Sequence, residues 1–166
     1  MHVALQVIGL LLVAWQGSGS QPTSKVSELS WMVGDWEGTG WQLSPAGKTE
    51  IKCREFVAMR AGGGILTISD HQARKRPGSE NFEPEREAFF TVTYTDKFFL
   101  SAYGSSGKLF EAEAQVGQKK MEWVIPGAGM RMSLYVDAEG VWIEEGFRKT
   151  ENGEEKVFEL ILRKVK

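Results

Sequence analysis

Apolar and polar residues alternate in short stretches along most of this chain. Ala88, Phe90, Val92 and Tyr94 interleave with Phe89, Thr91, Thr93 and Thr95. Phe110, Ala112, Ala114 and Val116 interleave with Leu109, Glu111, Glu113 and Gln115, and Met130, Met132, Leu134 and Val136 with Arg131, Ser133, Tyr135 and Asp137. A period of two sends successive side chains to opposite faces, so each stretch predicts a strand with one face buried. Turn sequences separate the stretches at even intervals: Asp96-Lys97, Ser105-Ser106-Gly107, Val116-Gly117-Gln118, Pro126 to Gly129, Ala138-Glu139-Gly140 and Asn152-Gly153. The predicted strands are 34–42, 48–60, 63–71, 86–95, 97–104, 107–116, 118–125, 129–137, 140–149 and 155–165. Ser24 to Trp31 has room for one helical turn ahead of them. Gly62-Gly63-Gly64 marks a sharp reversal, and Gln72 to Glu85, with Pro77 and Pro84, reads as the one long loop.

Short turns between half-buried strands imply antiparallel pairing. About ten up-and-down strands would leave two costly edges in an open sheet, so closure is the economical solution. The expected fold is all-β, a single antiparallel up-and-down β-barrel of about ten strands, wide enough for an internal cavity. A β-sandwich is the alternative.

The N-terminus changes the domain picture. Val3 to Trp15 is an apolar run followed by Gly17-Ser18-Gly19-Ser20, the small residues a signal peptidase accepts. The run is shorter than the roughly 20 apolar residues of a membrane span. The expected division is a signal peptide at 1–20, a flexible segment at 21–28 and the barrel domain at 29–166, with an exported product, periplasmic or secreted. No membrane span is expected in the mature chain. The net charge is −2, with Lys and Arg scattered among Asp and Glu, so nothing is concentrated to neutralise phosphates and nucleic acid is not an expected partner. Cys53 is the single cysteine, which rules out an internal disulfide and reads as a small buried hydrophobe.

Leu29-Ser30-Trp31-Met32-Val33-Gly34-Asp35-Trp36-Glu37-Gly38-Thr39-Gly40 resembles the opening of the lipocalin-like bacterial proteins grouped as DUF1579. Val141 to Gly146 and Val157 to Val165 resemble the last two strands of that group. A related Gly-x-Trp-x-Gly-x-Gly pattern opens the nitrobindin-type haem-binding barrels. The resemblance implies a lipocalin-like barrel and little about activity. It also implies a Trp–cation closure, in which Trp36 meets Arg163 or Lys164: strand parity favours Lys164, and the planar, stacking guanidinium favours Arg163. Gly34, Gly38 and Gly40 let the first strand bend tightly at that closure. Nitrobindin-type barrels hold haem through a late-strand histidine. This chain has no histidine after His71, so no cofactor is expected, haem included.

Candidate chemistry is sparse. One histidine beyond the leader gives no locally spaced metal set and no nucleophile elbow accompanies it. The informative residues are charges within apolar faces: Glu55 between Cys53 and Val57, Glu145 between Ile143 and Phe147, and Glu159 between Val157 and Ile161. A buried carboxylate needs a cation, a donor or a proton. They either pair with Arg54, Arg60, Arg131 or Arg148, or face solvent, or anchor a ligand inside an apolar cavity. The expected ligand-binding set is Glu55, Tyr103, Met130, Met132, Trp142 and Glu145, with no catalytic and no metal-ligating residue. The leading expectation is a non-enzymatic binder of a small apolar or amphipathic ligand. The alternatives are an interaction module with a filled barrel, and a carboxylate-dependent hydrolase or isomerase.

Overall fold

The computed structural model describes residues 24–75 and 78–165; the expected signal peptide lies outside them. The strands are β1 Gly34–Ser44, β2 Gly47–Arg60, β3 Ile65–Lys75, β4 Phe82–Tyr94, β5 Phe98–Gly104, β6 Gly107–Gly117, β7 Lys120–Ile125, β8 Met130–Val136, β9 Trp142–Thr150 and β10 Gly153–Lys164. Each pairs antiparallel with its neighbours in sequence, and β1 also pairs with β10, from Trp36↔Lys164 to Gln42↔Phe158. The sheet is therefore a closed barrel, and the sandwich alternative falls. No edge is left to manage.

Two expectations change. The long loop at Gln72 to Glu85 is largely strand: β3 and β4 continue as a hairpin with Arg74 opposite Glu83 and Lys75 opposite Phe82. A register shift between Gln72 and Ala73 lies where Pro84 enters the ladder, and such a bulge lets a proline sit in a strand despite its missing N–H. At the N-terminus, Lys25–Met32 is a 3-10 helix whose first turn is capped by the Ser24 hydroxyl, which accepts from the Val26 N–H. It begins inside the segment expected to be flexible, because Val26, Leu29 and Met32 are fully buried.

That helix packs on β2, β3 and β4 and forms the barrel floor. Above it lie Trp36, Val57, Ile68, Val92, Trp142 and Leu162. The Trp36 indole N–H donates to the Met32 carbonyl at 2.8 Å, and the Trp36 and Trp142 rings meet at 5.2 Å. Of the two cations expected at Trp36, the one over the ring is Lys164, with Nζ 5.2 Å from the centroid. Arg163 instead stands exposed on the outer wall, in register with Glu37. Gly34 makes room for the lysine stem: a Cβ there would lie 2.2 Å from Lys164 Cε. No helix among the described residues is long and apolar enough to cross a membrane.

Candidate functional site

Above this floor the inner wall turns polar. In β2 the inward residues run Val57, Glu55, Cys53, Ile51; in β3 they run Ile68, Asp70, Gln72. Register sets them side by side in two rows. The lower row crosses the wall as Trp36, Glu55, Asp70, Ala88, and the upper as Gly38, Cys53, Gln72, Arg86. In β9 the inward alternation is Trp142, Glu144, Gly146, with Glu144 between Leu134 and Leu160.

The polar groups touch one another. Gln72 Nε2 donates to Asp70 Oδ2 at 3.1 Å, and Arg86 Nη2 lies 3.4 Å from the same oxygen. The Cys53 thiol faces Asp70 Oδ1 at 3.4 Å and Glu55 Oε1 at 3.9 Å. Acids therefore outnumber cations in this layer, where a low dielectric makes unpaired charge expensive. Burial, and then the charges of Glu144 and Asp70, push the Glu55 carboxyl well above its usual range. Burial also raises Asp70, against the opposing pull of Arg86. Glu144 is pushed up to about 8 by burial and then by Asp70. Cys53 is raised by burial and by its acidic neighbours, so it is a protonated thiol rather than a nucleophile.

These shifts carry a pH dependence. The folded protein holds the Glu144 proton more tightly than the unfolded chain does, so raising the pH favours unfolding. Its contribution is fullest below the ordinary glutamate value of 4.5 and is lost as pH rises to about 8. The fall is at most about 1.4 kcal/mol per pH unit. Urea midpoints should decline between about pH 5 and pH 8, and Glu144→Gln should lose that share of the decline. A variant profile parallel to the wild type would reject the assignment.

A cavity of about 1070 Å³ opens at the end of the barrel away from the helix, bordered by Gly38, Cys53, Gln72 and Arg86, by Ser106 and Leu109 at the β5–β6 turn, and by the strand residues between them, Lys52, Arg54, His71 and Glu87 among them. Glu55, Asp70 and Glu144 do not border it and lie deeper. Of the expected ligand-binding residues, Glu55 is thus inside but beneath the open space. Met130 and Met132 face inward, their sulfurs packed over Gly146, and Trp142 belongs to the floor. Tyr103 and Glu145 are corrections. Tyr103 packs on Phe89, which is exposed on the outer wall. Glu145 is also on the outer wall, paired with Lys156. The inner face of β9 is the one carrying Trp142, which is fully buried against Trp36, and this turns Ile143, Glu145 and Phe147 outward. Glu159 follows them, because β10 shifts register between Lys156 and Phe158. It accepts from the Trp41 indole at 3.0 Å and from Lys156 at 2.8 Å, a cation outside the four arginines expected as partners. His71 stands on the outer wall, edge-on to Phe56 at 5.7 Å.

Asp70, Gln72, Arg86 and Glu144 were not among the expected site residues. The alternation Leu66, Ile68, Asp70, Gln72 in β3 was a usable signal, since it carries polar residues along an apolar face.

No protein-family model matches the sequence, and no curated protein does. Solved structures do. Rv2717c from M. tuberculosis aligns with a TM-score of 0.60 at 15% identity, covering 86% of this chain and 99% of its own. The S-type phycobiliprotein lyase CPES from Guillardia theta aligns with a TM-score of 0.59 at 10% identity, covering 87% of this chain and 94% of its own. Likeness at such identity concerns the fold, which is a closed, ten-stranded antiparallel barrel of the lipocalin and nitrobindin-like kind.

Proposed function

We propose that this protein is a non-enzymatic binder of a small amphipathic molecule held in the mouth of the barrel. The observation that carries the reading is the cavity of about 1070 Å³ with Arg86 on its wall. The Arg86 side chain is 39% exposed and makes one ion-pair contact among the described residues, to Asp70, while a guanidinium has five N–H donors. A space whose wall is largely apolar, with a few charged groups such as Arg86, Lys52 and Arg54 at hand, is the usual form of a small-molecule site. The ligand class that fits is an apolar body ending in a carboxylate, with Arg86 as its anchor. The CPES structure is described as a lyase, so the same fold does carry chemistry elsewhere, and the raised acids Glu55 and Glu144 would suit acid–base work. Here both lie below the open space, which favours binding over a hydrolase or isomerase. The kinship with DUF1579 proteins and export from the cytoplasm belong to the same proposal, resting on the Leu29 to Gly40, Val141 to Gly146 and Val157 to Val165 segments and on the apolar leader.

The test is native mass spectrometry of the protein purified from its own host, together with titration of a fluorescent dansyl fatty acid. A co-purifying small molecule, and probe binding weakened at least about tenfold by Arg86→Ala, support the reading. No adduct and no probe fluorescence change in the folded wild type overturn it.

A further inference from the structure

We propose that Cys53, Glu55 and Asp70 form a buried site for a divalent transition ion of the zinc type, independent of the ligand in the mouth. Their donor atoms all lie within 4.8 Å of one another. The thiol sulfur is 3.4 Å from Asp70 Oδ1 and 3.9 Å from Glu55 Oε1. A tetrahedral ion with sulfur at about 2.3 Å and oxygen at about 2.0 Å places neighbouring sulfur and oxygen ligands about 3.5 Å apart. The Asp70 distance already matches, and Glu55 must move in by a few tenths of an ångström.

Two further observations point to a missing occupant. The Gln72 side chain is 6% exposed, and its Oε1 has no hydrogen-bond partner among the described residues. Its Nε2 bond to Asp70 pins the carboxamide against the cluster, which leaves a buried oxygen donor unspent beside the three ligands. Glu55 is 4% exposed, and its one hydrogen-bond contact among the described residues is the weak one from the thiol. A carboxyl buried with so little support is costly, and a cation would supply what is lacking. The set also has the supporting shell of a metal site. Asp70 turns Oδ1 to the thiol while Gln72 and Arg86 hold Oδ2, the arrangement by which outer groups orient a ligating carboxylate. The ligands come from two strands, which hold them more rigidly than loops would. The cavity bordering Cys53 and Gln72 gives an ion its route in.

Cobalt(II) is the probe, because a thiolate bound to it shows a near-ultraviolet charge-transfer band, and tetrahedral coordination gives strong visible bands. Chelator-treated full-length protein, kept reduced, is titrated with cobalt chloride. The expected result is one equivalent bound with both signatures, displacement by zinc, and a rise in melting temperature. Cys53→Ser should abolish the charge-transfer band. Glu55→Gln and Asp70→Asn should weaken binding at least about tenfold, and Glu111→Gln on the outer wall should leave it unchanged. The proposal is overturned if folded wild-type protein shows no charge-transfer band at saturating cobalt, if the band persists in Cys53→Ser, or if Glu111→Gln weakens binding as much as the cluster variants. The wild-type titration decides the matter even if a variant fails to fold.

Discussion

Alanine at Gly40 is expected to break the seam that closes the barrel. A Cβ at this position would stand 1.8 Å from the backbone carbonyl oxygen of Glu159, and one at Gly38 would stand 2.0 Å from that of Ile161. Both obstacles are main chain of β10, so no side-chain rotation relieves the clash. Either β1 moves away from β10 and gives up ladder bonds around Gly38↔Leu162 and Gly40↔Leu160, or the backbone bends. Overpacking against mobile side chains costs about 1–3 kcal/mol; against backbone the loss should exceed about 3 kcal/mol, a large part of a typical domain's stability. A Gly38→Ala, Gly40→Ala double variant should not form a cooperative barrel. Gly117 provides the internal comparison, because a Cβ there meets nothing within 4 Å and its φ is not in the left-handed range. Gly117→Ala should therefore be neutral or slightly stabilising, through the reduced freedom of the unfolded chain. Urea unfolding followed by circular dichroism measures all of these. If Gly40→Ala unfolds at the same midpoint as Gly117→Ala, the close approach of β1 and β10 does not hold the barrel shut.

The same strands show what could be read beforehand. Alternation and turn residues sufficed for the ten strands, because period two and short turns are local and antiparallel pairing follows from them. The glycines of β1 were legible as part of the Gly-x-Trp-x-Gly-x-Gly pattern, but not as a contact with Glu159 and Ile161 more than a hundred residues away. Parity inside β9 was the weak point. Both faces carry apolar residues, Trp142 on one and Ile143 and Phe147 on the other, so alternation alone could not choose between Glu144 and Glu145. What decides is that Trp142 packs on Trp36 from the first strand. The polar layer was hidden for a related reason. Glu55 was visible as a charge on an apolar face, but its neighbours Asp70, Gln72 and Arg86 join it only through cross-strand register. A bulge and a proline, both in β4, made that register unreadable and suggested a loop instead. Metal spacing fails in the same way, since Cys53 and Asp70 belong to different strands.

Truncating Trp36 should cost nearly as much and should act at the floor rather than the seam. The ring is 2% exposed, and it joins three pieces of the chain. It meets Trp142 of β9 in a tilted contact at 5.2 Å, its N–H holds the Met32 carbonyl at the end of the 3-10 helix, and Lys164 of β10 lies over its face. Removing a buried aromatic costs roughly 3–5 kcal/mol. Within that loss, the Met32 carbonyl is left without its donor, worth about 1 kcal/mol. The helix is too short to persist without packing, so Lys25–Met32 should loosen before the barrel melts. Hydrogen exchange should show it: the N–H of Val33, which donates to Ser30 at 3.2 Å, should lose protection in Trp36→Ala while the β5–β6 ladder keeps its own. Trp36→Phe separates the contributions, retaining most of the packing but not the hydrogen bond, and should fall by about 1–2 kcal/mol. Lys164→Met should lose only about 0.5–1 kcal/mol, because the cation lies at an exposed rim. A Trp36→Ala protein that unfolds at the wild-type urea midpoint, with the Val33 amide still protected, would mean that the floor is held by the remaining apolar residues and that Trp36 closes nothing.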